Sequence, residues 1–307
     1  MTDGPRGTYT CRYCRLPSDA SAPACPNCGA PVDVKAMVSR SGWEPQPPIK
    51  DMARIQFGRS TCQIEGTYVP VADFGLAPAQ PDVGQSGGGE WVYFSHHHLL
   101  WAEPGVDLAT RPMSGGWNRV RAGLPLVMMQ AHGPGHLALS DDSPGEVVAI
   151  PIQHGQEVWV REHRFLAATG NVGYRWDQSG IWYVTGSGDD QETHYPVGMY
   201  IDRFFAQGGP GLLLLHSPGN TFIRDLPAGE TICIQPSSLL YKDPTVGMQL
   251  HLEYPHSAGL SWGRAYSYRH IWLRMWGPGR VAVQSVFERP EDSGYVQRSS
   301  PATVAQW

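Results

Sequence analysis

The sequence predicts an all-β protein, and three observations support that fold class. Glycine and proline, with 36 and 27 of the 307 residues, are both abundant, and helical periodicity is rare along the chain. The 11 tryptophans and 13 tyrosines favour β-strands, where aromatic rings pack across neighbouring strands. The tripeptide Gly-Pro-Gly starts at residues 133, 209 and 277, each time between two apolar runs typical of strands. Three copies in matched settings indicate an internal repeat.

The Gly-Pro-Gly tripeptides are interpreted as hairpin turns. Proline fixes φ at the second position of a type II turn, and glycine at the third position accepts the positive φ that the turn requires. After the first and second tripeptides, turns at Pro144-Gly145 and Ala228-Gly229 each lead into a further strand, and the third copy lacks this continuation. We therefore expect the strands at about residues 57–103 to supply the missing part and to close a pseudo-threefold body.

The chain divides by composition into four segments. A cysteine-rich unit at residues 1–34 is followed by a proline-rich linker at 35–53, the β body at 54–288 and a polar C-terminal tail at 289–307. The formal net charge of −5 and the absence of lysine or arginine runs argue against a large nucleic-acid surface. The sequence shows no signal-peptide h-region and no apolar stretch long enough to span a membrane. A soluble, cytoplasmic protein is expected, and peripheral membrane contact stays open.

The strongest chemical feature is a pair of Cys-x₂-Cys motifs, Cys11/Cys14 and Cys25/Cys28, separated by ten residues. Each motif forms a tight knuckle that directs two sulfurs at one point, and four thiolates complete a tetrahedral Zn²⁺ site. Gly29 allows the backbone to turn behind the second knuckle. Two disulfides or a redox pair are the alternative, which a cytoplasmic setting disfavours. Because four protein ligands leave no open coordination position, the expected zinc ribbon is structural.

A run of three histidines, His96 to His98, lies inside a long predicted strand at residues 90–101. On a strand His96 and His98 would share one face, where two imidazoles could begin a metal site or a pH switch. The local sequence places no carboxylate beside them, so packed or surface histidines of a β-strand are the favoured interpretation. The two remaining cysteines, Cys62 and Cys233, lie in apolar, strand-like contexts and are predicted to be buried thiols.

Other polar clusters are interpreted as structural. The segment Arg161-Glu162-His163-Arg164 contains an acid beside a base, but neighbours on a strand point to opposite faces, so a cross-strand charge ladder is expected. The pairs Asp141-Asp142 and Asp189-Asp190 are predicted to lie in solvated turns, because neither shows the spaced ligands of a Ca²⁺ site. Since the sequence contains no phosphate loop and no nucleophile elbow, we assign no catalytic and no cofactor-binding residue.

Seven short motifs follow one another in a fixed order within the β body: Leu166–Val172, Arg203-Phe204-Phe205, Gly209–Leu215, Gly219-Asn220, Leu226–Ile232, Leu240–Asp243 and Gly277–Gln284. Through them, roughly residues 57–287 resemble the altered inheritance of mitochondria protein 24 family. The resemblance implies a pseudo-threefold all-β body, either a double-stranded β-helix or the fold of the tryptophan RNA-binding attenuator protein. It implies no catalytic residues. The N-terminal ribbon and the lack of a transit peptide differ from the mitochondrial members, so their link to inner-membrane organisation is not carried over.

These observations lead to three hypotheses of function. The leading one is a non-enzymatic interaction or scaffold protein, in which the ribbon docks a protein partner and adds to contacts made by the β body. Exposed sheet edges would also allow a homo-oligomer. The runner-up is a cupin-like small-molecule-binding protein or metal-dependent enzyme that uses His96, His98 or other histidines of the β body. The third is nucleic-acid binding through the ribbon.

Overall fold

The computed structural model describes residues 8–19, 22–32, 42–46, 53–78, 90–111, 128–185, 188–253, 270–288 and 296–297. Within these residues the chain is all-β, with 26 strands, three one-turn 3₁₀ helices and no α-helix. The predicted fold class is confirmed. Five strands precede the repeats: β1 (Thr8–Thr10), β2 (Pro17–Asp19), β3 (Glu44–Pro45), β4 (Ala53–Phe57) and β5 (Ser60–Glu65).

Three repeats of six strands form the β body. The first repeat comprises β6 (Val71–Leu76), β7 (Val92–Ser95), β8 (Leu99–Ala102), β9 (Asp107–Arg111), β10 (Met128–His132) and β11 (Gly135–Ser140). The second comprises β12 (Gly145–Ile152), β13 (Glu157–Arg161), β14 (Phe165–Thr169), β15 (Val172–Gln178), then the inserted β16 (Tyr183–Thr185) and β17 (Glu192–His194), and finally β18 (Tyr200–Ala206) and β19 (Gly211–Pro218). The third comprises β20 (Thr221–Leu226), β21 (Thr231–Ile234), β22 (Leu239–Lys242), β23 (Gly247–Glu253), β24 (His270–Trp276) and β25 (Gly279–Gln284).

Each repeat folds into two antiparallel three-stranded units by the same pairing scheme. The sixth strand of a repeat pairs with its first and third strands. The fifth strand pairs with the second and fourth. In all three repeats the ladder between the third and sixth strands contains a β-bulge that skips one residue, Leu100, Leu166 or Leu240. A bulge at the same place shows that the repeats are equivalent element by element.

Neighbouring repeats are joined by a ladder between the second strand of one repeat and the third strand of the next. β7 pairs with β14, and β13 pairs with β22, so two sheets each contain six strands of the repeats. Within the residues that the structure describes, no ladder joins β21 to β8. The strands β6, β7 and β8 are the N-terminal part that the sequence predicted, but the pairing of the described strands does not close the ring.

The Gly-Pro-Gly tripeptides are corners between sheets, and the predicted hairpins are not formed. β10 and β11, which flank the first tripeptide, lie in different sheets, and the same holds for β18 with β19 and for β24 with β25. The Gly133–Pro134 and Gly277–Pro278 peptide bonds are cis, and Gly135 and Gly279, the third residues of these tripeptides, have φ of 135° and 139°. The alternation of apolar residues describes the flanking strands correctly, but it is the same whether they pair with each other or with distant strands.

Parts of the predicted linker and tail belong to sheets. β3, in the linker, pairs with β20, and β26 (Val296–Gln297), in the tail, pairs with β16. β4 and β5 extend the three-stranded unit that contains β6, so the β body begins at Ala53. The other linker and tail residues, apart from 42, 43 and 46, lie outside the described residues.

The sheet between the first and second repeats is buried on both faces. Along β19, Leu212 and Leu214 belong to one apolar cluster, and Leu213 and Leu215 belong to another. The continuous apolar run follows from this two-sided burial, because neither face of the strand meets water. The next residue, His216, is polar and equally buried, and it marks the start of a polar region at this end of the sheet.

Candidate metal centre and polar cavity

β1 and β2 form a small hairpin that carries the first cysteines of the ribbon. Cys11 Sγ lies 3.7 Å from Cys28 Sγ, and Cys14 Sγ lies 3.7 Å from Cys25 Sγ. Four sulfurs at about 2.3 Å from a Zn²⁺ ion would be about 3.8 Å apart, whereas a disulfide requires about 2 Å. All four sulfurs lie within 4.8 Å of one another. The arrangement therefore fits a single metal ion, and the structure joins none of the four cysteines by a disulfide.

Each knuckle turns back through a residue with positive φ. The Gly29 amide donates to the Cys25 carbonyl, and the Arg15 amide donates to the Cys11 carbonyl, both at 2.8 Å. Gly29 has φ 71° and Arg15 has φ 62°, so an arginine takes the position in the first knuckle that glycine has in the second. Ser18 Oγ lies 3.0 Å from Cys25 Sγ, within hydrogen-bond distance of the sulfur. A hydroxyl that donates to Cys25 favours its thiolate form, which is the one that binds metals.

The ribbon lies against the third repeat of the β body. Arg280, which follows the third Gly-Pro-Gly corner, donates to the backbone carbonyls of Tyr13 and Arg12 in the first knuckle. Asp225 accepts a hydrogen bond from Arg280 Nε at 3.0 Å and also pairs with Arg15. Arg280 is buried, so its hydrogen bonds to the two carbonyls hold the ribbon on the body away from water, whereas the Arg15–Asp225 pair is more than half exposed.

The corresponding corner of the first repeat has the same backbone arrangement without the arginine. There the His136 amide donates to Glu103 Oε2 at 2.9 Å, as the Arg280 amide donates to Asp243 Oδ2 at 2.8 Å. Among the residues that follow the three tripeptides, His136, Leu212 and Arg280, the arginine alone carries a permanent charge. The arginine after the third tripeptide is therefore the sequence feature that could have indicated a contact between the ribbon and this corner.

A polar cavity of about 380 Å³ lies between equivalent turns of the first and second repeats. These turns, at residues 96–98 and 162–164, connect the second and third strands of their repeats. They contribute His97, His98, His163 and Arg164 to the lining, and the connection from β11 to β12 contributes Asp141. Three segments that are far apart in the sequence therefore build one site.

Asp141 lies at the centre of this site. Its Oδ1 accepts hydrogen bonds from the amide and the hydroxyl of Ser143 at 3.1 and 2.8 Å. His98 Nδ1 lies 3.8 Å from Asp141 Oδ2, and His216 Nδ1 lies 3.4 Å from Asp141 Oδ1. His216 is 2% exposed, and within the described part of the chain neither of its ring nitrogens makes a hydrogen bond. The result is a carboxylate held between two buried imidazoles.

Burial controls the protonation of these groups. It lowers the pKa of His98 and of His216, so both imidazoles are neutral at pH 7. Burial opposes the ionisation of Asp141, but the adjacent His216 and the hydrogen bonds from Ser143 outweigh it and lower the pKa of the carboxyl. The pKa of Arg164 falls to about 10, first through burial and then through a second guanidinium nearby. At neutral pH the site thus combines an anionic carboxylate, a cationic guanidinium and neutral imidazoles.

The structure corrects three interpretations of these residues. The predicted strand at 90–101 is interrupted, because His96–His98 forms a one-turn 3₁₀ helix and its histidines do not share a strand face. Glu162 and His163 approach to 3.8 Å in the equivalent turn, where His163 has φ 62°, so they do not belong to a cross-strand ladder. Asp141 belongs to the cavity wall and not to a solvated turn.

Two further predictions about polar and thiol residues are tested directly. Asp189 and Asp190 are exposed in a one-turn 3₁₀ helix, as expected for a solvated connection. Cys62 is fully buried in β5, and burial raises the pKa of its thiol. Cys233 is exposed on β21, so the prediction of a buried thiol is wrong there. Among the strands that the structure describes, β21 pairs on one side, with β24, where the equivalent strands pair on both.

A metal ion needs three or more cysteine, histidine or carboxylate side chains whose ligand atoms lie close together. Among the residues that the structure describes, only the four cysteines form such a group. The cavity histidines do not form a second such group there. The expectation that His96 and His98 could begin a metal site therefore finds no preformed ligand set in the described β body.

The fold and the site define this chain as an all-β protein with a pseudo-threefold body and a four-cysteine ribbon. Residues 85–286, more than half of the chain, match the family model described as Mitochondrial biogenesis AIM24. The chain belongs to this family, the altered inheritance of mitochondria protein 24 family, and the resemblance stated from the sequence motifs is confirmed.

A protein of Streptococcus pyogenes, known from an X-ray crystal structure, has a similar fold. It is 20% identical in sequence, with a TM-score of 0.51, and the comparison covers 75% of this chain and 94% of that chain. At this identity the likeness shows the fold alone. Curated proteins give no match to this chain. In the described part of the chain, no helix has the length and apolar character needed to cross a membrane.

Proposed function

We propose that this chain is a non-enzymatic interaction protein, in which a structural Zn²⁺ ion holds the ribbon in the shape that docks a protein partner. The observation that carries the proposal is the closed ligand set. Cys11, Cys14, Cys25 and Cys28 supply all four ligands of a tetrahedral ion, so no position is left for a substrate or a water molecule. Zinc is favoured because four thiolates at this spacing suit a tetrahedral ion with affinity for sulfur.

The ribbon acts together with the third repeat. Arg280 and Asp225 contact the ribbon, in which Thr10, Pro17 and Pro26 are exposed. A partner that binds there meets the ribbon and the β body at the same time, and the second contact gains from the high effective concentration of a tethered site. A cytoplasmic location belongs to the proposal, because reducing conditions keep the thiolates available for metal binding.

Nucleic-acid binding through the ribbon has less support. Arg12 and Arg15, the cations of the first knuckle, pair with Glu44 and Asp225 of the same chain. Arginines that already have carboxylate partners must give them up before they can neutralise phosphates. We expect any affinity for DNA or RNA to be weak at physiological ionic strength.

Metal analysis and site-directed crosslinking on the full chain test the proposal. The wild type should contain one Zn²⁺ per chain, and the double variant Cys25→Ser/Cys28→Ser should contain none. Cys233→Ser is the matched control, because this exposed cysteine lies outside the ribbon and its loss should leave the zinc in place. A photo-crosslinking amino acid at Thr10 should capture a partner in the control and fail to do so in the double variant. Equal capture in both proteins would contradict docking by the zinc-bound ribbon.

The polar cavity supports a second candidate function, the binding of a small polar molecule. Its volume of about 380 Å³ is in the range of ligand pockets, and Arg164 and Asp141 offer opposite charges at its wall. Native mass spectrometry of the purified chain should then show a bound molecule that Arg164→Met loses. A metal-dependent enzyme that uses the cavity histidines would keep a metal ion in the variant Cys25→Ser/Cys28→Ser. A chain with no bound small molecule and no metal ion outside the ribbon would argue against this candidate.

A further inference from the structure

The leucine at the shared bulge is buried at two junctions between repeats and exposed at the third. Leu166 and Leu240 are 0% exposed, whereas Leu100 is 58% exposed. The residue after each leucine follows the same pattern. Ala167 and Tyr241 are 0% and 4% exposed in the second and third repeats, whereas Trp101 is 44% exposed in the first. Equivalent backbone positions therefore differ in whether a neighbouring strand covers them.

The strand that covers the bulge leucine is the second strand of the preceding repeat. Leu166 shares an apolar cluster with Phe94 of β7, and Leu240 shares one with Val160 of β13. For Leu100 the corresponding strand is β21 of the third repeat, where Ile234 has the same position. Among the described strands, β21 pairs with β24 and β8 pairs with β11, each on one side. The chain thus presents both halves of a third ladder that it does not form.

We propose that β8 of one copy of this chain pairs with β21 of a second copy, and that two reciprocal ladders of this kind form a dimer. The inference rests on the proposed interaction role and names one partner, the chain itself. The register follows from the two junctions that are formed, where Phe94 pairs with Ala167 and Val160 pairs with Tyr241. The same offset places Trp101 opposite the Ile234 of the second copy.

A second copy fits the open edge of β8 because it presents β21, the kind of strand that pairs at this position in the other two junctions. Pairing between copies gives the strand order β6-β11-β8-β21-β24-β23, which has the same composition as the two sheets formed within the chain. Each copy would use both of its edges, so the contact is isologous and stops at two subunits. It removes two open sheet edges in each copy and covers Leu100 and Trp101.

The oligomeric state and two lysine substitutions test the contact. Light scattering after gel filtration should give the mass of two chains for the wild type at micromolar concentration. Trp101→Lys places a charge on the edge and should raise the dimer dissociation constant by roughly tenfold or more. Tyr68→Lys is the matched control, because Tyr68 is 74% exposed in the loop between β5 and β6 and lies outside both edge strands. It should stay dimeric, and circular dichroism should show the β fold in both variants.

A disulfide locates the contact independently. In the register given above, Ala102 lies opposite the Cys233 of the second copy, as Ala168 lies opposite Tyr93 at the first junction. Ala102→Cys should therefore form an intermolecular disulfide with Cys233 on mild oxidation, seen as a dimer band on a non-reducing gel. Ala102→Cys/Cys233→Ser should give no such band.

The outcomes separate the alternatives. A monomeric wild type would overturn the proposal, and so would a dimer that Trp101→Lys leaves unchanged or that forms no disulfide with Ala102→Cys. A disulfide within one chain would show that β21 and β8 join in the same copy, which also overturns it. Zinc content and crosslinking from Thr10 are measured separately, so this proposal and the proposed ribbon function can fail independently.

Discussion

Two glycines at the corners between sheets are required by a close approach of backbone atoms. A Cβ atom at Gly133 would lie 2.4 Å from the carbonyl oxygen of Ala77, and one at Gly277 would lie 2.3 Å from that of Pro227. At Gly209, the equivalent glycine of the second corner, the nearest atom beyond its chain neighbours would be 3.5 Å away, an ordinary contact. The three tripeptides are equal in sequence and differ in the space around their first residue.

Gly133→Ala and Gly277→Ala should each lower the free energy of unfolding by about 2–3 kcal/mol, because the added methyl group forces backbone segments apart. Gly209→Ala should change it by less than about 1 kcal/mol, since alanine fits there and also restricts the unfolded chain. Urea unfolding followed by tryptophan fluorescence measures all three variants. Equal losses at the three positions would show that the close contacts at the first and third corners are not what requires glycine.

At the scale of elements, the ribbon depends on one arginine of the third repeat. Hydrogen bonds to charged groups contribute about 1.5–3 kcal/mol each, and Arg280 makes several that reach the ribbon or its partner Asp225. Arg280→Met keeps the apolar stem and removes these bonds. Hydrogen exchange in residues 8–32 should then become faster by roughly tenfold or more. His136→Met, at the equivalent corner of the first repeat, should leave the ribbon protected, and unchanged exchange in both variants would contradict the role of Arg280.

The two buried histidines beside Asp141 make stability depend on pH. Burial lowers the pKa of His98 and His216 in the folded chain, while an unfolded histidine has a pKa of about 6.5. Below about pH 6.5 the unfolded chain therefore binds more protons, and stability that is complete above this pH is lost as the pH falls towards the folded-state values. Each histidine adds a slope of up to about 1.4 kcal/mol per pH unit.

The slope can be tested with His216→Gln, which copies the glutamine at the equivalent position of the third repeat, Gln284. Thermal unfolding between about pH 5 and 8 should show a smaller loss of stability with acid in the variant than in the wild type. A wild-type slope that persists unchanged in His216→Gln would exclude this histidine as a source of the pH dependence.

Sequence reasoning succeeded where the determining contacts are local. The four ribbon cysteines lie within one short segment, so their spacing alone predicted that their sulfurs meet. Asp141 instead meets His98, from the turn between β7 and β8, and His216, from β19, and the packing of two repeats brings these histidines to it. No local pattern contains that information, and the same limit explains why the corners at the tripeptides were taken for hairpins.

A comparison of the repeats with one another would have predicted more. Each repeat has a polar three-residue turn followed by two apolar residues: His96–His98 before Leu99, Glu162–Arg164 before Phe165, and Pro236–Ser238 before Leu239. Two of these turns form 3₁₀ helices, and all three precede the strand that contains the bulge. Aligning the three segments would have interrupted the predicted strand at His96 and placed the histidines in a turn.

At the scale of the whole molecule, the described strands form two junctions between repeats, and none of them joins β21 to β8 at the third. In the Trp101→Lys variant, which leaves the third edge uncovered, amides of β8 should exchange faster than those of β14 and β22 by roughly tenfold or more. Exchange followed by mass spectrometry on peptides that cover residues 99–102, 165–169 and 239–242 measures the difference. Equal protection of the three peptides would show that β8 is covered within its own chain.

The three repeats share one bulge but belong to a single polypeptide. A ring of three separate identical subunits would have three identical contacts by symmetry. Because one chain carries all three repeats, each junction has its own residues and can differ from the other two. The exposure of Leu100, beside the burial of Leu166 and Leu240, is one such difference.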